Sequence, residues 1–238
     1  DWLVEWKYDG IRAQAVKRAG RVWLWSRGEE LVSEGFPDAL LALASLPDGT
    51  VLDGELLVWP EGADQPAPFA LLQKRLNRKT LGKKLLADAP VRFVAYDLLE
   101  DAATDIRALP QHERRTRLEA RLHGSAVALS PLVQAIDWPA YAALRAQARE
   151  RGVEGFMLKH RDSAYGSGRT KAGGTWWKWK IEPMTADAVL IYAQAGHGRR
   201  ASVYTDYTFA VWNRAPASAE EAQGVIDAIA RREPAVDG

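Results

Sequence analysis

The run Lys7-Tyr8-Asp9-Gly10-Ile11-Arg12 decides how this chain is interpreted, because it ends a strand-like segment in a tight turn. Residues two apart in a strand share a face, which predicts a polar face made of Glu5, Lys7 and Asp9. A solvated strand face with an ordinary salt bridge would give the same pattern. The run therefore predicts a reactive lysine only if other parts of the chain supply the groups that such a lysine needs.

The composition limits the classes of protein to consider. The chain has 238 residues, 47% of them hydrophobic, enough for one large domain or one and a half ordinary ones. With 32 basic and 31 acidic residues, any basic surface for nucleic acid must be local. The absence of Cys excludes disulfides and Cys-ligated zinc. No membrane span or signal peptide is found, so a cytoplasmic protein without membrane partners is expected. The first residue is Asp1 and not Met, which suggests a piece of a longer protein.

Strand-like runs carry most of the motifs, and helix-like runs lie between them. Because the two do not alternate regularly, the expected fold class is α+β with largely antiparallel sheets. Strands are predicted at Leu3–Tyr8, Arg21–Trp25, Val51–Trp59, Val91–Leu99, Gly155–Lys159 and Thr175–Ile181. Helices are predicted at Pro37–Leu46, Pro110–Leu122 and Trp138–Arg151.

A domain boundary is predicted near Glu182-Pro183. Beyond it lie two strand candidates and a helix that opens at Ser218, with Glu221 three residues later in a capping-box pattern. Two or three strands and one helix cannot close a small barrel or cover their own edges. The second domain, residues 183–238, is therefore expected to be incomplete.

Three carboxylates lie where strands and glycines meet. Asp53 and Glu55 flank Gly54 on one face of an apolar strand, and Glu154 directly precedes Gly155. Unpaired buried charge is costly, so these acids either cap strand ends or serve a ligand. Hard carboxylate oxygens suit Mg²⁺, and the functional interpretation is a metal or ribose site.

The strand Trp176–Lys180 alternates strictly between two kinds of side chain. Lys178 and Lys180 share one face, and Trp177 and Trp179 are expected on the other, buried face. Two lysines on one face are typical of a phosphate-binding pair, although a solvated surface strand would alternate in the same way.

A lysine must lose its proton before it can act as a nucleophile. Nearby cations favour the neutral amine, and Arg12, Lys178 and Lys180 could supply them to Lys7. Arg27 ends another strand-like run, in Ser26-Arg27-Gly28, where a ligand could approach. Together these clusters indicate a site that moves a nucleotide onto a lysine.

Five motifs in this order resemble the covalent nucleotidyltransferases, and most closely the ATP-dependent DNA ligases, over nearly the whole chain. They are Lys7-Tyr8-Asp9-Gly10-Ile11-Arg12, Ser26-Arg27-Gly28, Asp53-Gly54-Glu55-Leu56, Glu154-Gly155-Phe156-Met157-Leu158-Lys159 and Lys178-Trp179-Lys180. Tyr96 matches a further position of the family. Two more segments, residues 72–78 and 204–209, resemble the larger bacterial ligases.

The resemblance implies a role for each candidate residue. Lys7 would be the catalytic residue that becomes adenylated, and Tyr96 would stack on adenine. Further nucleotide contacts would come from Glu5, Arg12, Arg27, Glu55, Lys178 and Lys180. Ligands for Mg²⁺ or Mn²⁺ would come from Glu154, Asp53 and Asp9.

The resemblance also implies an architecture and partners. Residues 1–182 would form an ATP-grasp-like nucleotidyltransferase (adenylation) domain of two largely antiparallel sheets with flanking helices. Residues 183–238 would form a partial OB-fold β-barrel. ATP and Mg²⁺ would be required, nicked duplex DNA would be the partner, and a monomer near the bacterial nucleoid is expected. The family's upstream DNA-binding domain and sixth motif are not found in this sequence, so a fragment is expected.

Two alternatives stay open. An RNA ligase or an mRNA capping guanylyltransferase shares the Lys-x-Asp-Gly core. A non-catalytic nucleic-acid-binding module would use the Trp and Lys/Arg surfaces instead, and it predicts no covalent label on Lys7.

Overall fold

The computed structural model describes residues 1–76, 78, 81–166, 175–183, 185–231 and 233. The chain divides into two compact units, Asp1–Ile181 and Glu182–Gly238. Within the described residues, no helix combines the length and the apolar character needed to cross a bilayer.

The first unit combines long strands with short helices. Its strands are β1 (Trp2–Tyr8), β2 (Ile11–Arg18), β3 (Arg21–Ser26), β4 (Thr50–Val58), β5 (Val91–Asp101), β6 (Thr104–Asp105), β7 (Ala128–Leu129), β8 (Val153–His160) and β9 (Trp176–Lys180). Its helices are α1 (Pro37–Leu43), α2 (Phe69–Gln73), α3 (Lys83–Asp88), α4 (Gln111–Leu122) and α5 (Trp138–Ala146).

The strands form two sheets. The larger sheet has the order β3-β2-β4-β5-β6, and the short β7 pairs with β5 in parallel. The smaller sheet has the order β1-β8-β9, and its pairings are antiparallel. The predicted α+β class with largely antiparallel sheets is confirmed. Because the Lys7–Arg12 run ends β1 and opens β2, it crosses from the smaller sheet to the larger one.

The main core lies where α1 and α4 pack against β5 and its neighbours. Leu24, Leu52 and Leu56 of the larger sheet are 0% exposed, as is Leu118 of α4. Burying one such side chain stabilises the fold by about 1.5–3 kcal/mol. Leu122 is also buried, so the i, i+4 apolar pair on α4 faces the sheet.

A buried ion pair fixes α4 to β5. Arg114 donates from Nε and Nη2 to the two oxygens of Asp97 at 2.9 and 3.0 Å, and both side chains are 0% exposed. Burial raises the pKa of the Asp97 carboxyl, although the Arg114 hydrogen bonds act in the opposite direction. Removing one partner of such a pair costs about 3–5 kcal/mol. Because Asp97 follows Tyr96, the pair anchors the strand that carries Tyr96.

The structure differs from the sequence prediction at several places, one of which is α1, which ends at Leu43 and not at Leu46. The sequence does not predict β2, whose buried face includes the small residues Ala13 and Ala15 and lacks a strong strand pattern. Helix α5 ends at Ala146 and not at Arg151, and residues 147–151 form turns instead of a further part of the helix. Trp177 is 56% exposed and not buried, because β9 is the outer strand of the smaller sheet.

The described residues of the second unit form a two-stranded sheet and one longer helix. β10 (Ala188–Ala195) pairs antiparallel with β11 (Tyr204–Val211), and α6 spans Ala219–Ala230. Ser218 caps α6 by accepting a hydrogen bond from the Glu221 N–H at 3.2 Å, at the position predicted from the sequence.

Candidate active site

Lys7 and Glu154 form the centre of the site. β1 and β8 are antiparallel neighbours, and Lys7 Nζ donates a hydrogen bond to Glu154 Oε2. Lys180 of β9 reaches the other oxygen, with its Nζ 3.0 Å from Oε1. Burial alone would raise the pKa of Glu154, but the hydrogen bonds and charges of Lys7 and Lys180 outweigh it and hold that pKa below its ordinary value. Two amines therefore share one ionised carboxylate.

Gly155 explains how β8 and β9 come close enough for this arrangement. Its φ is +124°, a conformation that side chains strongly disfavour. A Cβ at this position would lie 2.9 Å from the Lys180 Cα and closer still to the Trp179 carbonyl oxygen. Any other residue would push β9 away from β8, and with it Lys180 away from Glu154.

Asp53 of β4 is enclosed by four hydrogen bonds, and its side chain is 0% exposed. Arg12 donates to it from Nε at 3.1 Å and from Nη2 at 2.6 Å. The hydroxyls of Tyr96 and Tyr165 donate at 3.2 and 2.8 Å. Burial would lower the pKa of the Arg12 guanidinium, but the hydrogen bonds and charge of Asp53 raise it well above its ordinary value. Asp53 thus holds Arg12, and a metal contact would require these partners to move.

Glu55, two residues further along β4, has a different character. Burial raises its pKa to about 8; Lys7 and Arg12 oppose this effect, and Asp53 and Asp9 add to it. At neutral pH most of the population therefore carries a proton on Glu55, so this carboxyl can donate as well as accept hydrogen bonds. The intervening Gly54 is required by packing, because a Cβ there would lie 2.5 Å from the Phe93 ring.

Cations gather on the open side of the site, around the exposed Lys178. Partial burial of its amine, followed by the charges of Lys7, Arg27, Lys180 and Arg12, lowers the pKa of Lys178. Arg27 lies in the exposed turn after β3. Lys178 and the four cations near enough to influence its amine form a site suited to a polyanion such as a triphosphate.

A buried acid–lysine pair lies beside this centre. Glu5 and Lys159 are each 1% exposed, and Lys159 Nζ donates to Glu5 Oε1 at 2.7 Å and to the Tyr96 carbonyl oxygen at 3.1 Å. The same ammonium lies 4.7 Å from the centroid of the Tyr96 ring and 4.5 Å from that of Trp176. Tyr96 is therefore fixed by a cation at its ring and by Asp53 at its hydroxyl.

The structure joins the sequence-predicted residues through contacts or charge, with one difference in position. Asp9 lies beyond the end of β1 and is exposed, so it does not share a strand face with Glu5 and Lys7. The register of β1 shifts between Trp6 and Tyr8, which breaks the alternation. Among the described residues, no group of three or more His, Cys, Asp or Glu side chains is placed to hold a metal ion. The metal contacts and the nucleotide contacts stay predictions.

Two residues of the site have no assigned role in the sequence analysis. Lys159 is the last residue of the Glu154–Lys159 motif. Lysine side chains are usually exposed, so nothing in the sequence predicts that this one is buried. Tyr165 follows β8 in an irregular segment, where no periodicity applies. Only the fold brings its hydroxyl to Asp53 and Arg12.

Known proteins resemble this chain in sequence and in fold. The profile of the family described as ATP dependent DNA ligase domain matches residues 1–180. The chain belongs to this ligase family. A probable DNA ligase of Opitutus terrae is 38% identical over an alignment of length 240, gaps included, which covers 88% of this chain and 23% of that protein. For a probable DNA ligase of Koribacter versatilis the identity is 36% over an alignment of length 233, covering 88% and 40%.

Solved ligase structures resemble this ligase-family chain as well. Mycobacterial DNA ligase D complexed with ATP and MES is 28% identical, with a TM-score of 0.61, over 82% of this chain and 58% of that chain. The ligase domain of LigD from M. tuberculosis is 30% identical, with a TM-score of 0.58, over 74% and 53%. The chain thus spans less than half of the two curated relatives and little more than half of these structures.

Proposed function

We propose that this chain is the nucleotidyl-transferring part of an ATP-dependent DNA ligase, which seals nicks in duplex DNA through a covalent lysyl-AMP intermediate. The observation that carries the proposal is the position of Lys7, whose amine meets Glu154 within a group of cations. Membership of the ligase family and the ATP named with the mycobacterial structure support the nucleotide. A non-catalytic binding module would have no use for this arrangement.

The site offers a separate partner for each part of ATP. The phosphates are met by Lys178, Lys180 and the exposed part of Arg12, whose side chain is 41% exposed. Tyr96 offers an aromatic ring for adenine, and Glu55 offers a carboxyl for ribose hydroxyls. Because phosphate oxygens compete with Glu154 for Lys180, nucleotide binding loosens the arrangement that holds Lys7.

The transfer begins when Lys7 leaves Glu154 and releases a proton to solvent. The neutral Nζ attacks the α-phosphorus, an N–P bond forms as a second proton is released to solvent, and the bond from that phosphorus to the bridging oxygen breaks. Pyrophosphate leaves with the electron pair. Lys178 and Lys180 offset the charge on the phosphate oxygens, and positioning together with this charge supplies most of the rate.

The donors present fit a single-carboxylate site for Mg²⁺ or Mn²⁺. Magnesium usually takes one or two protein carboxylates and completes its shell with waters and phosphates. Glu154 is 27% exposed and adjoins the cations, whereas Asp53 is enclosed. Glu154 would hold the ion, which would supply charge neutralisation on the phosphates.

The proposal extends to the remaining steps and to the architecture. AMP passes from Lys7 to the 5′-phosphate at a nick, and attack by the 3′-hydroxyl releases AMP. Residues 1–182 then form an ATP-grasp-like adenylation domain, and residues 183–238 form part of an OB-fold, in a protein that acts as a monomer.

Mass spectrometry of the intact protein tests the chemistry. After incubation with ATP and Mg²⁺, we expect a gain of one AMP moiety, mapped by peptide analysis to Lys7. Lys17, a buried lysine of β2 that bonds to backbone carbonyls, serves as the internal comparison. No label on any lysine, or a label that persists in Lys7→Ala, would overturn the proposal.

The choice of substrate needs its own measurement. Labelling with ATP but not GTP excludes a capping guanylyltransferase. Transfer of AMP from labelled protein to nicked DNA in preference to nicked RNA excludes an RNA ligase. Because the relatives are much longer, sealing is scored separately from labelling, and a labelled protein that transfers to RNA alone would overturn the DNA assignment.

A further inference from the structure

The hydroxyl group of Tyr165 contacts both Arg12 and Asp53. Arg12 Nη2 donates to the Tyr165 oxygen at 2.8 Å, and that hydroxyl donates to Asp53 Oδ2 at 2.8 Å. Arg12 also donates directly to both oxygens of Asp53. The hydroxyl therefore completes a closed ring of hydrogen bonds around one end of the guanidinium.

This ring determines which part of Arg12 stays available. A guanidinium has five N–H groups in a rigid plane. The Nε hydrogen and both Nη2 hydrogens are engaged by Asp53 and Tyr165, whereas Nη1 has no partner among the described residues. The two Nη1 hydrogens are left for a ligand, and the direction in which they point is set by the two partners.

The Tyr165 ring is itself held in place. It packs edge-on against Trp176 at 5.9 Å between centroids, and the Arg114 guanidinium lies 5.8 Å from its centroid. Its backbone N–H donates to the Arg107 carbonyl at 2.8 Å. Trp176 belongs to β9, the strand that also carries Lys178 and Lys180. Tyr165 therefore contacts this strand with its ring and the Arg12 guanidinium with its hydroxyl.

We propose that Tyr165 is a positioning residue, whose hydroxyl orients Arg12 so that Nη1 meets the phosphate of the nucleotide. The inference rests on the proposed function and adds to it a residue that lies outside the sequence motifs. Without the hydroxyl, Asp53 still holds Arg12 by two hydrogen bonds, but the second Nη2 hydrogen is free and the plane can tilt. A small misplacement of a charged group weakens its effect on a developing charge.

A double-mutant cycle tests the inference. Tyr165→Phe, Arg12→Ala and the combination are compared with the unchanged protein in single-turnover labelling of Lys7, over a range of ATP concentrations. We expect Tyr165→Phe to slow labelling at saturating ATP by about tenfold, the scale of one hydrogen bond to a charged group. In the Arg12→Ala background the same change should have no further effect, because its target is absent. Tyr141→Phe is the control, since that hydroxyl bonds the Val133 carbonyl at 3.2 Å and has no contact with Arg12.

The outcomes separate the inference from the proposed function. If the unchanged protein does not label Lys7, the proposed function fails. The positioning role is wrong if the unchanged protein is labelled and Tyr165→Phe is labelled at the same rate. It is also wrong if Tyr165→Phe lowers the labelling rate equally with and without Arg12→Ala. Melting temperatures of all variants are measured, and rates are compared where each is folded. A loss seen only as weaker ATP binding, with the saturated rate unchanged, also contradicts the inference.

Discussion

Ionisation of Glu55 is predicted to make the protein less stable as the pH rises, the opposite of the usual effect of a carboxyl group. Burial raises its pKa from 4.5 to about 8, so the folded protein keeps a proton that the unfolded chain has already released. Between these two pH values the folded state binds more protons than the unfolded state, and the free energy of unfolding must fall as the pH rises. The loss is complete above about pH 8. Glu55→Gln removes the titration and should remove this loss.

The magnitude follows from the same two values. At 1.36 kcal/mol for each pH unit, the difference between 4.5 and about 8 gives an upper bound of about 5 kcal/mol. Lys7 lies near and can move towards the ionised carboxylate, so about 2–3 kcal/mol is expected. The amide resembles the protonated acid in shape, and the variant should match the unchanged protein at pH 5. At pH 9 it should be the more stable of the two.

Urea unfolding at pH 5, 7 and 9, followed by tryptophan fluorescence, measures the effect. Nine of the ten tryptophans precede Ile181 and Trp212 alone follows it, so the signal reports mainly the first unit. Glu61→Gln, at an exposed loop position, is the control and should leave the pH dependence unchanged. A constant difference between Glu55→Gln and the unchanged protein from pH 5 to 9 would refute the reasoning.

Substitutions at three residues test the assigned roles. Lys7→Ala and Lys7→Arg should both abolish labelling in the mass assay while keeping a native circular dichroism spectrum. Alanine has no amine, and the guanidinium of arginine stays protonated and cannot act as the nucleophile. Residual label on either variant would place the nucleophile elsewhere. Glu154→Ala should lose Mg²⁺-dependent labelling while binding ATP almost as before, and a Mg²⁺ titration like that of the unchanged protein would make Glu154 structural. Tyr96→Ala should weaken ATP binding by about 1–3 kcal/mol in calorimetry, whereas Tyr96→Phe retains the ring and should change it little. Equal losses for both Tyr96 variants would show that the hydroxyl on Asp53 is the important group.

Local patterns predicted the elements that carry the site better than they predicted the contacts within it. The glycine turns, the apolar β4 and the alternating β9 are set by neighbours in sequence, so their existence could be inferred. The weak alternation of β2 and the exposure of Trp177 depend on which strand lies at the centre of a sheet and which at its edge. That order is a property of the whole fold, and no short pattern contains it.

The acids of the site show most clearly what sequence patterns cannot supply. Asp53 and Glu55 are two residues apart on one strand and carry the same group, yet one is neutralised by Arg12 and the other retains a proton near neutral pH. The difference comes from partners 41 residues away in the case of Arg12 and 112 residues away in the case of Tyr165. Glu154, by contrast, remains ionised between two amines and partly open to solvent. One site thus contains three different acids: Asp53 is fixed by its partners, Glu55 holds a proton, and Glu154 is ionised and can exchange its partners. Under the proposed function, Glu154 is the acid of these three that would release Lys7 and take up a cation without disrupting the core.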